Sequence, residues 1–147
     1  MNLGDDLYKE IILDNYKAKK YRRRMDDADI SREGANPSCG DDIELFVRLN
    51  GDRIEEVTYD GAGCSICLAS ANMLCTALTG RTLGEARALF DQVRSMLTDA
   101  DVPDFPEYAS DLEAMQGVKA FPVRVKCAML AWSTLKQVVD EHGAAVG

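Results

Sequence analysis

The chain has 147 residues, 46% hydrophobic and 29% charged, so its length and composition predict one domain, residues 1–147, with enough apolar side chains to form a core. The net charge of −8 argues against a general nucleic-acid-binding protein. No run approaches the roughly 18 apolar residues of a membrane span, and the first ten residues, MNLGDDLYKE, lack the basic and apolar regions of a signal peptide.

The N-terminal third combines a helix with a polar stretch. A helix is predicted over residues 5–17, where four apolar side chains recur at helical spacing: Leu7, Ile11, Ile12 and Tyr16. Six basic residues follow between Lys17 and Arg24. We interpret them as a solvated helix end, with a docking surface for an acidic partner as the less favoured alternative. Residues 25–38 are predicted to form a polar loop that ends in an Asn-Pro turn.

A β-hairpin is predicted over residues 43–59. Apolar and polar residues alternate on both sides of the Asn50-Gly51 pair, which is a strong hairpin signal. The step from Ile54 to Val57 breaks the alternation and predicts a bulge.

Helices dominate the remainder. Residues 66–79 are small and apolar almost all round, as in a buried helix, and Gly80 suits its C-terminal cap. Thr82 and Glu85 form the capping-box pattern of a second helix, and Pro122 begins a third. Residues 98–121 between them are acidic and irregular, and they are interpreted as a long insertion or a partly helical loop. With the hairpin, these helices predict an α+β fold.

Cysteine usage favours the cytoplasm. Five cysteines, an odd number, in a chain with no export signal indicate reduced thiols rather than a disulfide framework. The single histidine, His142, leaves little material for a Cys-His catalytic pair or a histidine-rich metal site.

Three cysteines fall at predicted element boundaries: Cys39, Cys64 and Cys127. If the helices pack on the sheet, these thiols can meet at one end of it together with Asp41. Three thiolates and one carboxylate can hold a four-coordinate zinc ion. A carboxylate beside Cys39 would disfavour a free thiolate, but a bound dication reverses that effect.

Two alternatives stay open from spacing alone. The cysteines could be buried small hydrophobic side chains. Cys64 and Cys67 also form a single C-x-x-C motif, which could supply two metal ligands or a redox pair. Cys75 lies eight residues beyond Cys67 on the predicted buried helix, where a core role is favoured.

Three ordered blocks, NPSCGDDIEL, GAGCSICLASANML and FPVRVKCAMLAW, resemble the SufU family of zinc-dependent sulfurtransferases, which share the IscU-like fold of NifU N-terminal domains. The resemblance spans nearly the whole chain. It implies a small antiparallel sheet of about three strands with helices packed on it. It also implies Zn²⁺ held by Cys39, Asp41, Cys64 and Cys127, with Cys39 as the sulfur acceptor. Cys67 falls at a variable position of the second block, and Cys75 matches no functional position.

The resemblance further implies a reaction and its partners. A SufS-like cysteine desulfurase would deliver persulfide sulfur to Cys39 for iron–sulfur cluster assembly, and a residue of that enzyme would take over the coordination position that Cys39 leaves. A SufBCD-type scaffold is a candidate recipient downstream. Arg124 matches an arginine that the family shows near the site; its alternative role is that of a surface or helix-start cation.

The main alternative is an IscU-type scaffold that assembles a transient iron–sulfur cluster on Cys39, Cys64 and Cys127. Scaffolds of that type carry a histidine immediately before the third cysteine, where this chain has Lys126. They also lack an insertion such as residues 98–121. Both differences favour sulfur transfer. A domain with a purely structural zinc ion is a further alternative.

Overall fold

A computed structural model describes residues 3–99 and 104–146. Its elements are, in chain order, α1 (Leu3–Lys17), β1 (Ile30–Asn36), β2 (Asp41–Asn50), β3 (Arg53–Ala62), α2 (Ser65–Leu78), α3 (Leu83–Thr98), a 3-10 segment (Glu107–Val118) and α4 (Pro122–Val146). The predicted α+β fold is confirmed. Among the described residues, no helix is long and apolar enough to cross a membrane.

The three strands form one antiparallel sheet in the order β1-β2-β3. The predicted hairpin is β2–β3, and it turns at Gly51, whose φ of 63° suits a glycine. The predicted bulge is also present, because Arg48 pairs with Glu56 and Leu49 with Ile54, which leaves Glu55 as the extra residue.

The prediction of a polar loop over residues 25–38 was wrong, since residues 30–36 form the edge strand β1. The sequence of this strand shows no clear alternation of apolar residues, because α4 covers part of its inner face at a glycine, which has no side chain. A Cβ atom added at Gly34 would lie 2.2 Å from Oγ1 of Thr134, so α4 packs directly against the strand backbone. Because glycine adds no apolar side chain, this contact leaves no hydrophobic pattern in the sequence.

The core lies between the sheet and helices α2, α3 and α4. Its largest fully buried side chains include Trp132, Tyr59, Leu45 and Leu74. Helix α2 is buried along most of its length, as its composition predicted, and Gly80 follows its last residues with a φ of 86°. Thr82 and Glu85 form the predicted capping box of α3.

Helix α1 packs against one side of α2, but only part of its predicted apolar face is buried. Ile11 and Ile12 pack against the core, whereas Leu7 is 54% and Tyr16 is 37% exposed. The insertion is partly helical, with the 3-10 segment broken at Ala109. Its residues 100–103 lie outside the described part of the chain.

The basic stretch from Lys17 to Arg24 is tied to the sheet. Arg23 pairs with Glu56, and Arg24 pairs with Glu44 at 3.0 Å. Arg22 donates a hydrogen bond to the carbonyl oxygen of Gly61 at 3.0 Å. These contacts pack three arginines of the stretch against the sheet.

Candidate metal centre

The predicted site residues come from three separate parts of the chain. Cys39 lies in the turn between β1 and β2, and Asp41 is the first residue of β2. Cys64 lies between β3 and α2, and Cys127 lies in the second turn of α4. The antiparallel order brings the end of β3 beside the start of β2, where Asp42 pairs with Ala62.

Three of the four predicted ligands converge. The ligand atoms of Cys39, Asp41 and Cys127 all lie within 4.8 Å of one another. Asp41 and Cys127 are buried and Cys39 is partly exposed. A group of two thiols and one carboxylate at this spacing can hold a metal ion such as zinc.

Asp41 is only 2% exposed, and its two carboxylate oxygens have different surroundings. Oδ1 accepts a hydrogen bond from the backbone N–H of Cys64 at 2.9 Å. Oδ2 is buried and has no hydrogen-bond partner among the residues that the structure describes. A buried carboxylate oxygen without a partner is costly. A metal ion at the neighbouring thiols would satisfy it, so the residues present fit a metal centre.

Cys64 is the predicted ligand that lies outside the group of three. It is the N-terminal cap of α2, and its sulfur accepts a hydrogen bond from the backbone N–H of Cys67 at 3.5 Å. Its own N–H holds Asp41, so the two residues are joined directly. The position also places the sulfur at the positive end of the α2 dipole.

Cys127 is fully buried and surrounded by the other candidate ligands. Its sulfur lies 3.8 Å from the Asn36 Nδ2 donor and 3.6 Å from the carbonyl oxygen of Val123. Burial raises the pKa of the Cys127 thiol, and its interactions with Asp41, Cys39 and Cys64 raise the pKa further. Because a dication favours the ionised form of every one of these groups, a bound metal would reverse this effect.

Arg124 lies at the mouth of the site, one turn before Cys127 on α4. The pKa of Arg124 is raised, first by the negative charge of Cys64 and its hydrogen bond, and then by Cys127. Arg124 therefore interacts electrostatically with two candidate ligands, and its exposed side chain lines the same groove as Cys39.

Two residues at the site were not singled out from the sequence. Asn36 is buried and donates towards Cys127, although the sequence indicated its Asn-Pro step only as a turn signal and as part of the NPSCGDDIEL block. Gly63 leaves room for the site, because a Cβ atom there would lie 2.9 Å from Asp41 Oδ1 and 3.2 Å from Cys67 Sγ. The Gly-Ala-Gly sequence before Cys64 was the available signal for this close approach.

The two other cysteines are buried in α2. Burial raises the pKa of Cys67 to about 12, and the negative charges of Asp41, Cys64 and Cys39 contribute to the shift. Burial also raises the pKa of Cys75 well above its usual value. Cys67 thus lies directly behind the site, whereas Cys75 belongs to the core, as predicted.

The chain matches the family model described as the NifU-like N terminal domain over residues 7–145. It is 38% identical to the zinc-dependent sulfurtransferase SufU of Bacillus subtilis over 140 residues, which cover 95% of this chain and 94% of that protein. It is 33% identical to the iron–sulfur cluster assembly scaffold protein IscU of Thermotoga maritima over 135 residues, which cover 92% and 94% of the two chains.

A solved structure of FiSufU from Fervidobacterium islandicum AW-1 superimposes with a TM-score of 0.80 at 34% identity, covering 87% of this chain and 93% of that one. The chain therefore belongs to the family of NifU-like N-terminal domains, and its predicted resemblance to SufU is confirmed. One of these relatives is named a sulfurtransferase and another a cluster-assembly scaffold.

Gly63→Ala is expected to weaken metal binding about tenfold, the lower end of the range for residues that orient metal ligands. The added methyl group would contact Asp41 Oδ1 and displace the carboxylate. Competition with a chromophoric chelator measures the affinity for Zn²⁺. Gly84→Ala is the matched control, because a Cβ atom there meets only Thr82 Oγ1 at 3.8 Å. Equal affinity of the two variants would contradict the assigned role of Gly63.

Proposed function

We propose that this protein is a zinc-dependent sulfurtransferase that accepts persulfide sulfur on Cys39 for iron–sulfur cluster assembly. The observation that carries the proposal is the buried Asp41 carboxylate. Its Oδ2 has no hydrogen-bond partner among the described residues, and the carboxylate lies in a group with two thiols whose ligand atoms are within 4.8 Å of one another. The similarity to a named zinc-dependent sulfurtransferase over 95% of the chain supports the same reaction.

Four residues would hold Zn²⁺: Cys39, Asp41, Cys64 and Cys127. When bound, zinc would keep the thiols ionised and organise the site, and it has no redox chemistry of its own. Asp41 and Cys127 are buried on regular elements, so their side chains have little freedom to leave. Asn36 and the Cys64 N–H hold the sulfur of Cys127 and the carboxylate of Asp41 in place.

Cys39 is the ligand best suited to leave and react. It is partly exposed and lies in a four-residue turn, Pro37–Gly40, whereas Cys127 is inaccessible. The turn joins two strands, so Cys39 can move outwards without disturbing the ladder that fixes Asp41.

The reaction is a thiol exchange on a persulfide. The Cys39 thiolate attacks the outer sulfur of the donor's Cys–S–SH group, a new S–S bond forms at Cys39, and the S–S bond of the donor breaks. The donor cysteine leaves as a thiolate, and the proton stays on the transferred sulfur. Arg124 faces Cys64 and Cys127, and we assign it the role of balancing the negative charge of these sulfurs while Cys39 is displaced.

The donor would be a SufS-like cysteine desulfurase, and the surface beside Cys39 suits a protein partner. A groove of about 610 Å³ contains Cys39 together with Phe121, Val123 and Arg124. Phe121 is 60% and Val123 is 59% exposed. Exposed apolar side chains grouped at one place are typical of interaction sites. The product would pass to a downstream acceptor, for which a SufBCD-type scaffold is our candidate.

A cluster-assembly scaffold is the second candidate, because the Thermotoga maritima relative bears that name. One feature of the site favours sulfur transfer over cluster assembly, namely the residue before Cys127. Lys126 stands immediately before Cys127, so that position offers no imidazole ligand for iron.

Cys39→Ala is expected to abolish both the stimulation of a SufS-like desulfurase and the persulfide on this chain, because the accepting sulfur is gone. Sulfide production and mass spectrometry of the alkylated protein measure the two effects. Cys75→Ala removes a thiol from the core and should leave both unchanged. If Cys39→Ala stimulated the desulfurase as strongly as the unmodified chain does, the assignment of Cys39 as the sulfur acceptor would be wrong.

Phe121→Ala is expected to raise the concentration of this chain needed for half-maximal stimulation about tenfold, since truncating an aromatic anchor of an interface costs about 1–2 kcal/mol. The stimulation at saturation should not change, because the phenyl ring of Phe121 carries no group that takes part in the transfer of sulfur. Leu7→Ala serves as the control, since Leu7 is 54% exposed but does not line the groove. An unchanged half-maximal concentration for Phe121→Ala would exclude this surface as the docking site.

A further inference from the structure

The C-x-x-C motif at the start of α2 contains a thiol that sulfur transfer does not use. Cys64 is the N-terminal cap of the helix and Cys67 lies three residues on, in its first turn. Cys67 is fully buried and lies directly behind the metal centre, where Gly63 separates its sulfur from the Asp41 carboxylate.

The first turn of α2 already brings the two cysteines into contact. The sulfur of Cys64 folds back over the helix end and lies 3.5 Å from the backbone nitrogen of Cys67. The Cys67 sulfur lies 3.2 Å from the position that a Cβ atom would take at Gly63, the residue immediately before Cys64. Two cysteines at the start of a helix in this spacing are typical of dithiols that cycle between reduced and oxidised forms.

The two thiols also differ in the way that such a pair requires. Cys64 is partly exposed and can meet a small oxidant, whereas Cys67 is shielded from it. Cys67 is not one of the four ligands proposed above, so its thiol is available while the metal centre is assembled. Cys75, the other thiol outside the ligand set, lies eight residues further along α2.

We propose that Cys64 and Cys67 form an oxidisable dithiol, in which a peroxide joins the two sulfurs in a disulfide and thereby removes Cys64 from the metal centre. The Cys64 thiolate attacks one peroxide oxygen and becomes a sulfenic acid, while the other oxygen leaves as hydroxide. The Cys67 sulfur then attacks the Cys64 sulfur, the S–O bond breaks, and water is released. Two thiols lose two electrons, and hydrogen peroxide is reduced to two molecules of water.

The second step is favoured because it is intramolecular. A neighbouring thiol acts at a high effective concentration, which offsets the burial of Cys67. The rival linkage joins Cys39 and Cys127, whose sulfurs lie within 4.8 Å. Both of those thiols are proposed metal ligands, so both would have to leave the metal before they could join.

The test treats the zinc-loaded full chain with hydrogen peroxide, follows zinc release with a chromophoric chelator, and maps disulfides by mass spectrometry after alkylation. We expect zinc release to accompany a Cys64–Cys67 linkage, and dithiothreitol to restore zinc binding. A Cys39–Cys127 linkage, or zinc release without any Cys64–Cys67 linkage, would overturn the proposal.

Cys67→Ser and Cys67→Ala provide the second measurement, with Cys75→Ser as the matched variant on the same helix. Without Cys67, the sulfenic acid of Cys64 proceeds to the sulfinic acid, which dithiothreitol does not reduce. We expect these variants to regain less than about half of their zinc, and Cys75→Ser to regain it as the unmodified chain does. Full recovery by a Cys67 variant that binds zinc before oxidation would contradict the proposal.

Only one part of this inference, the release of zinc on oxidation, rests on the proposed metal centre. If the chain never binds zinc, the proposed function is wrong. Mapping of the Cys64–Cys67 linkage in the metal-free chain would still decide whether the pair is an oxidisable dithiol.

Discussion

The structure of the site depends on the burial of one carboxylate among thiols. Asp41 is 2% exposed, one of its oxygens is held by the Cys64 N–H, and the other has no partner among the described residues. Placing a negative charge there beside Cys39 and Cys127 is unfavourable in the absence of a cation. A divalent metal satisfies all three groups at once, and for this reason the metal centre is the simplest physical account of the arrangement.

The fold supports this arrangement by bringing together parts of the chain that are distant in sequence. The pairing of β2 with β3 brings the start of one strand beside the end of the other, and α4 adds Cys127 across the sheet. Rigid elements carry Asp41 and Cys127, whereas Cys39 lies in a turn. The division agrees with the proposed chemistry, in which one ligand reacts and the others stay.

Much of this could be predicted from the sequence, because the relevant signals are local. The Asn50-Gly51 turn, the bulge at Glu55 and the Thr82 capping box each depend on a few neighbouring residues. Cys39, Cys64 and Cys127 were candidates because they fall at element boundaries, but their spacing left a core role and a C-x-x-C pair open. The order of three motifs that resemble a family favoured the four-ligand set over these alternatives. Membership of the family of NifU-like N-terminal domains is shown over residues 7–145.

The features that sequence reasoning missed depend on tertiary contacts. Strand β1 was mistaken for a loop because Gly34 lets α4 pack on its backbone without an apolar side chain. Gly63 is explained only by the positions of Asp41 and Cys67, and Asn36 only by the position of Cys127. Leu7 and Tyr16 follow the helical period but remain exposed, because periodicity gives a shared face and does not say what covers it.

X-ray absorption at the zinc edge, on the protein purified with its metal, tests the central claim most directly. The account predicts three sulfur neighbours at about 2.3 Å and one oxygen neighbour at about 2.0–2.2 Å. A first shell without an oxygen ligand, or a purified protein that contains no zinc, would contradict it.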